Sequence, residues 1–320
     1  MIALDFSALL VTCLSLLLLI AAGFIFRKIG ILDEDFTKKL SSLIAKGAMP
    51  FMIVHSITSL EFSAEKLIGG LFILLFGTLA HTFMAFAARL IFCRTRDFDE
   101  KKIYEYGCIF SNCAFIGYPI LNALFGEIGL FYGAFYVITY NLGCWSYGVI
   151  IMQRGAKDKK LSVRKMFVNV GTAACAVGLA LYVSQIPIPS FLQTTMNHIG
   201  SLCTPLSLLV TGSLVAAMPL KKLFFTPKLY AFCAVKLVAL PVIAALILHL
   251  CGASALIAEI DLTVFLALMI GLPPAAMTTL FANMYDVKPS YAAQLVSLGT
   301  ILSPVSILIV MKITERILLI

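Results

Sequence analysis

Two stretches decide how this chain folds: Gly107–Gly126, GCIFSNCAFIGYPILNALFG, and Leu266–Ala282, LALMIGLPPAAMTTLFA. Both lie deep in apolar sequence, and neither reads as a continuous helix. Gly117-Tyr118-Pro119 interrupts the first, and Gly271-Leu272-Pro273-Pro274 interrupts the second. Proline removes a backbone donor and its ring clashes with the preceding turn, while glycine adds slack. In hydrocarbon, each freed backbone group costs several kcal/mol unless protein, water or a solute satisfies it, so such breaks persist only where they line a cavity. A pair of breaks in corresponding halves is the sequence pointer to a secondary transporter's binding site.

The rest of the chain fits that reading. It is 61% hydrophobic and 12% charged, with mean hydropathy +1.01, far from a soluble globular balance. Apolar runs long enough to span a bilayer recur at 7–27, 39–60, 66–92, 103–125, 128–152, 165–185, 194–217, 228–250, 260–282 and 289–312. The expected fold is an all-α polytopic membrane protein. Its ten transmembrane helices form two inverted five-helix repeats, residues 1–155 and 156–320, with helices 4 and 9 broken and crossing. The first span lacks a basic leading region and its apolar core exceeds that of a signal peptide, so it reads as retained.

The net charge of +8 invites a nucleic-acid partner, but its placement argues for a lipid bilayer instead. With an external amino terminus, 19 of the 24 Lys and Arg fall in cytoplasmic connections, among them Arg27, Lys28, Arg94, Arg96, Lys157, Lys159, Lys160 and Lys288. That asymmetry follows the positive-inside rule and places both termini outside. The nine cysteines include no CxxC and no Cys/His grouping with ligand spacing, so no metal or cofactor is expected.

Four features repeat at a spacing of 155 residues: Pro50 with Pro205, Pro119 with Pro274, Gly23 with Gly178, and His81 with Lys236. An odd number of spans per half inverts the second half. By analogy with carriers built on crossed discontinuous helices, spans 1, 2, 6 and 7 form one unit and the other six a second.

Where two broken helices cross, two half-helix amino-terminal ends meet near the midplane, each worth roughly half a positive charge. Unpaired N–H groups there suit an anion, typically a carboxylate. Neutral polar side chains stand alongside: Ser111, Asn112, Thr278 and Thr279, with Pro119, Pro273 and Pro274 shaping the breaks. Asn112 can donate two hydrogen bonds to a carboxylate oxygen. The plainer alternative is that Ser111 and Asn112 only satisfy the freed backbone. Asp5, Glu61, Glu65, Glu127, Glu259, Asp261 and Asp286 all lie near span edges, so no central carboxylate serves a cation–proton exchanger. Lys46 and Lys236 sit about two turns from the cytoplasmic side, where their stems are expected to snorkel outward. Lys236 has a second reading as a neutraliser of substrate charge. His81 and His55 read as polar packing groups. Pro50, Tyr140, Asn141, Pro205, Lys236 and Gln294 line the candidate pathway, although interhelical hydrogen bonding explains the polar stripes as well.

The motif SNCAFIGYP, Ser111 to Pro119, resembles the signature of the auxin efflux carrier family, and GFIFRKIGILDE, Gly23 to Glu34, supports the likeness. The resemblance implies an elevator-type carrier of a small organic anion. In it Asn112 faces the carboxylate, and Pro119 and Pro274 are the crossing prolines. The short central loop departs from plant members and looks bacterial, which implies an inner-membrane location. A rival on the same architecture is a sodium-coupled symporter like the bile-acid transporters. Proton or sodium therefore stands as the coupling ion, and the oligomeric state, a homodimer included, is open. An intramembrane enzyme would need a Ser–His pair, an Asp pair or an HExxH helix, and none stands out.

Overall fold

The computed structural model describes residues 6–155, 170–218 and 223–319. Basic residues Lys157, Lys159, Lys160, Arg164, Lys165, Lys221 and Lys222, the start of the sixth span and the far side of the 155/156 boundary lie outside the described residues. All regular structure among the described residues is helical. We label the runs α1 (Phe6–Lys28), α2 (Glu34–Thr58), α3 (Ala64–Ile91), α4 (Phe98–Ile109), α5 (Cys113–Met152), α6 (Val170–Ser184), α7 (Ser190–Ala217), α8 (Pro227–Leu250), α9 (Leu262–Gly271), α10 (Met277–Met284) and α11 (Pro289–Ile317).

Seven of these, α1, α2, α3, α5, α7, α8 and α11, are long and apolar enough to cross a membrane, and α6 and α9 are shorter apolar helices. Large side chains such as Leu18 and Phe86, each 70% exposed, project from α1 and α3 as lipid-facing surface does. The protein is a polytopic membrane protein. Helix ends are capped where the chain leaves the apolar layer. Asp33, Ser63, Asp97 and Asp261 each accept a hydrogen bond from a backbone N–H in the first turn of α2, α3, α4 and α9.

The 40-residue run α5 folds back on itself at Gly126. There φ is +62° and ψ −149°, a conformation that glycine alone adopts cheaply. A Cβ built at Gly129 would lie 2.6 Å from the Leu121 carbonyl oxygen, so the two arms touch directly beyond the turn. This is the boundary the sequence places between its fourth and fifth spans.

Prolines behave differently from the sequence expectation, for a clear reason. The π-helical turns Ile44–Ala48, Cys113–Gly117 and Val235–Ala239 each end two residues before a proline, Pro50, Pro119 and Pro241. A widened turn removes the clash between a proline ring and the carbonyl four residues back. Helix direction therefore continues through Gly117-Tyr118-Pro119, and the fourth-span interruption lies earlier, at Phe110–Asn112. The adjacent pair Pro273-Pro274 is too much for a widened turn. Two consecutive donors are lost, α9 ends at Gly271, and helix resumes only at Met277. Pairing Pro119 with Pro274 at 155 residues thus joins a helical position to a broken one.

The helices pack in two sets. α1 lies along α7 and α2 along α6, while α3 packs on α4 and α5, and α11 on α8, α9 and α10. The α1–α7 contact is backbone against backbone. A Cβ at Gly23 would lie 2.1 Å from the Leu209 carbonyl oxygen, and one at Gly212 would lie 2.0 Å from that of Ile20. Between the sets, Phe115 at the start of α5 packs into a cluster of Leu32, Leu40, Ile44, Cys203 and Val210.

Toward the expected cytoplasmic side, the starts of α4, α8 and α11 are tied by charge. Lys288 pairs with Asp97 and Glu100, and Lys228 reaches Glu100 at 2.9 Å. The Lys288 ammonium holds the Asp97 carboxyl below the usual carboxylate range. Deeper in α4, Glu105 is fully buried and ion-paired with Arg154. This carboxylate lies inside the fourth span, and the reading of edge-placed acids passed it over.

Candidate functional site

The two interruptions meet. Ser111 and Pro274 form an antiparallel bridge: the Asn112 N–H donates to the Pro273 carbonyl at 2.7 Å, and the Ala275 N–H donates to the Phe110 carbonyl at 2.9 Å. Each break thus supplies the groups that the other frees, as nonhelical backbone at membrane depth requires. Four half-helix ends converge here: the carboxyl ends of α4 and α9, and the amino ends of α5 and α10.

At the α5 end, Asn112 is the N-cap. Its Oδ1 accepts from the Phe115 N–H at 3.3 Å, and its backbone carbonyl accepts from Ile116 and Gly117. The capping role is the plainer reading of Asn112, and it occupies one face of the amide. Its Nδ2 donates to nothing among the described residues, and the residue retains 8% exposure. At the α10 end, the amides of Ala276 and Met277 have no acceptor among the described residues, and Ala276 is exposed. That positive helix terminus is open.

Lys236 overturns the snorkelling expectation. It is 0% exposed, and its Nζ donates to Ser111 Oγ at 2.7 Å and to the Ile270 carbonyl at 2.9 Å, with Met84 Sδ at 3.8 Å. The cause lies in the double proline. In a continuous helix the Ile270 carbonyl would accept from residue 274, and Pro274 has no N–H to give. An ammonium at the carboxyl end of α9 also meets the negative end of that helix dipole. Lys46, by contrast, is exposed, as a snorkelling side chain would be.

The other expected residues divide into near and far. Thr278 is fully buried in the first turn of α10, and its Oγ1 has no partner among the described residues. The Thr279 carbonyl accepts from Asn283 Nδ2 within the same helix. Tyr140 meets Phe110 edge-on with ring centroids 5.9 Å apart, and Asn141 is buried with Nδ2 unpartnered among the described residues. Gln294 neighbours Leu295, which lies against Gly107 of α4. Pro119 is half-buried in α5, and Pro50 and Pro205 lie in α2 and α7. Sequence reading left His81 as packing. Its Nδ1 lies 2.7 Å from the Gly77 carbonyl, its Nε2 is buried without a partner among the described residues, and its ring is tilted against those of Phe110 and Tyr136. Phe110, whose carbonyl closes the bridge, carried no sequence signal beyond hydrophobicity.

A separate cleft of about 440 Å³ lies at the ends of α2 and α6 and the start of α7, lined by Glu61, Phe62, Tyr182 and Gln193. It contains none of the crossing residues. The groups able to act together are therefore those at the crossing: an ammonium, an open helix amino terminus, a free amide N–H₂ and an unpaired hydroxyl. Each can donate a hydrogen bond, as a small anion requires, although the hydroxyl can also accept.

Comparison with known proteins agrees on the class. The chain is 26% identical over 161 residues to an uncharacterized transporter of Methanothermobacter thermautotrophicus, covering 49% of this chain and 52% of that protein. It is 24% identical over 214 residues to an uncharacterized transporter of Methanocaldococcus jannaschii, covering 65% of this chain and 69% of that one. The chain thus spans about half the length of the first relative. A family model described as membrane transport protein matches residues 8–165 and 159–311. Those matches take in both interruptions, and the chain belongs to this membrane transport protein family, the auxin efflux carrier family that its Ser111–Pro119 motif resembles.

Proposed function

We propose that this protein is a secondary carrier that moves a small carboxylate across the cell membrane by an elevator-type motion. Ten spans in two inverted halves provide the frame, with α3, α4, α5 and α8–α11 moving against α1, α2, α6 and α7. The observation carrying the reading is the gathering of donors at the crossing, where Lys236, Asn112 and the open end of α10 flank the Ser111–Pro274 bridge and the Thr278 hydroxyl in the first turn of α10 stands unpaired among the described residues. A carboxylate placed there gains charge-assisted hydrogen bonds without competition from a nearby acid. A sodium ion would instead face the Lys236 charge, which argues against the sodium-coupled rival.

Two spacings support the repeat. Gly23 approaches Leu209 and Gly178 approaches Val54, and both members of the second contact lie 155 residues from their counterparts in the first. In the other set the spacing is 163: Ala64 and Pro227 begin α3 and α8, and Ser111 bridges Pro274. Under this register Ser111 is the counterpart of Pro274, and the match of His81 with Lys236 is accidental.

Purified protein is first screened for thermal stabilisation by lactate, pyruvate, malate and glutamate, since a ligand stabilises the state it binds. Asn112→Ala is expected to keep a folded protein, because losing the cap costs about 1 kcal/mol. The same change is expected to lower saturable flux of the stabilising anion in proteoliposomes by about tenfold or more, through loss of a charge-assisted hydrogen bond. Unchanged flux would remove Asn112 from the site. Thr278→Val tests the unpaired hydroxyl in both directions. Removing a buried, unsatisfied polar group isosterically should leave the ligand-free melting temperature equal or higher. The carboxylate-induced shift should shrink. A lower ligand-free melting temperature with an unaltered shift would make Thr278 a packing residue only.

A further inference from the structure

The transport reading leaves one feature of Lys236 unused, its uncompensated charge. An ammonium has three donors and no acceptor. Here the three acceptors about Nζ, Ser111 Oγ, the Ile270 carbonyl and Met84 Sδ, are all neutral. No salt bridge among the described residues includes Lys236, which is wholly buried. The ionisable side chains that interact with it include His81, Cys108 and Cys113, none of them a carboxylate. Glu105, the buried carboxylate on the helix leading to Ser111, is already taken by Arg154. The crossing therefore holds one basic side chain with no counter-charge among the described residues.

We propose that this charge makes the carrier an obligate exchanger of monoanions, in which the site changes sides readily only when a bound carboxylate cancels the Lys236 ammonium. The inference rests on the transport reading above. A buried charge lacking a partner is costly to hold in low dielectric, and carrying it through the bilayer is also opposed by a membrane potential in one of the two directions. With one monocarboxylate bound, the moving unit is neutral and both penalties fall away. The empty unit keeps them. Loaded passages in both directions are then fast and the empty return is slow, so net movement of one anion is tied to counter-movement of another. A dianion leaves a net negative charge and gains less.

The test uses proteoliposomes of the full chain, loaded in separate batches with radiolabelled lactate, pyruvate, malate or glutamate. Efflux is followed into buffer with or without the same unlabelled anion outside. For a monocarboxylate that is carried, exchange is expected to exceed net efflux by about tenfold or more, and to be unaffected by a potassium–valinomycin potential. Lys236→Gln removes the charge but retains an N–H donor for the Ile270 carbonyl. It should bring net efflux to within about twofold of exchange, whereas Lys236→Arg should keep the wild-type ratio. Should Lys236→Gln fail to fold, the wild-type ratio and the Lys236→Arg ratio still decide. Equal net efflux and exchange in the wild type would overturn this inference while leaving the carrier intact. Absence of saturable flux for every probe in both modes would overturn the carrier reading and this inference with it.

Discussion

Gly212→Val is expected to abolish recovery of folded protein, or to lower its stability by at least about 3 kcal/mol, the upper range for overpacking. At most positions a new methyl group meets the flexible end of a side chain, which can swing away. At Gly212 it meets the Ile20 carbonyl oxygen at 2.0 Å and the Phe24 nitrogen at 2.7 Å, both backbone. The reciprocal contact at Gly23 locks the same pair of helices from the other side. Relief requires α1 and α7 to separate as rigid rods, which loses the close packing that drives helix association in lipid. Gly47→Val is the matched control, because only the far end of Leu43 approaches that position, at 3.2 Å. Size-exclusion profiles in detergent and melting temperatures measure the difference. A Gly212→Val protein that elutes and melts like Gly47→Val would show that the two backbones are not in contact.

The second large effect concerns the buried pair near the mouth of the fourth span. Arg154→Leu leaves the Glu105 carboxylate fully buried with no cation, a change that costs about 3–5 kcal/mol in comparable buried pairs. Glu105→Leu should cost less, because the Arg154 side chain is 22% exposed and can turn toward water. Replacing both residues with leucine should recover most of the loss, since well-packed apolar groups often substitute for a buried ion pair at no net cost. Melting temperatures of the four proteins form a double-mutant cycle, and the coupling is the discriminating quantity. Strictly additive losses would mean that the two side chains do not stabilise one another. Neither residue lies at the crossing, so anion-induced stabilisation should persist in the double variant.

The contrast between Arg154, Lys236 and the prolines marks how much of the site sequence could reveal. Long apolar runs and edge caps are local properties, governed by side-chain transfer and first-turn hydrogen bonds; α1, α3 and α11 follow the apolar runs closely, and Ser63 caps α3. The turn at Gly126 is local as well, because its backbone angles suit one residue type. Pro119 misleads when read alone. Whether Pro50, Pro119 or Pro241 breaks a helix depends on whether the turn before it can widen, and neighbouring packing settles that. Glu105 escaped notice because a carboxylate near a span edge looks solvated until its cation, 49 residues further along the chain, folds against it.

By itself the sequence determined that the chain is helical, lives in a bilayer, and must break where Pro273 and Pro274 delete two successive donors. The tertiary structure decided the rest of the site. The fourth-span break sits at Phe110–Asn112, rather than at Pro119, because the carbonyl of Pro273 and the amide of Ala275 need partners and find them there. Lys236 turns inward for the same reason, drawn to the Ile270 carbonyl that Pro274 leaves unpaired. A missing hydrogen bond is written in the sequence, but which distant group fills it depends on what the fold brings within 3 Å.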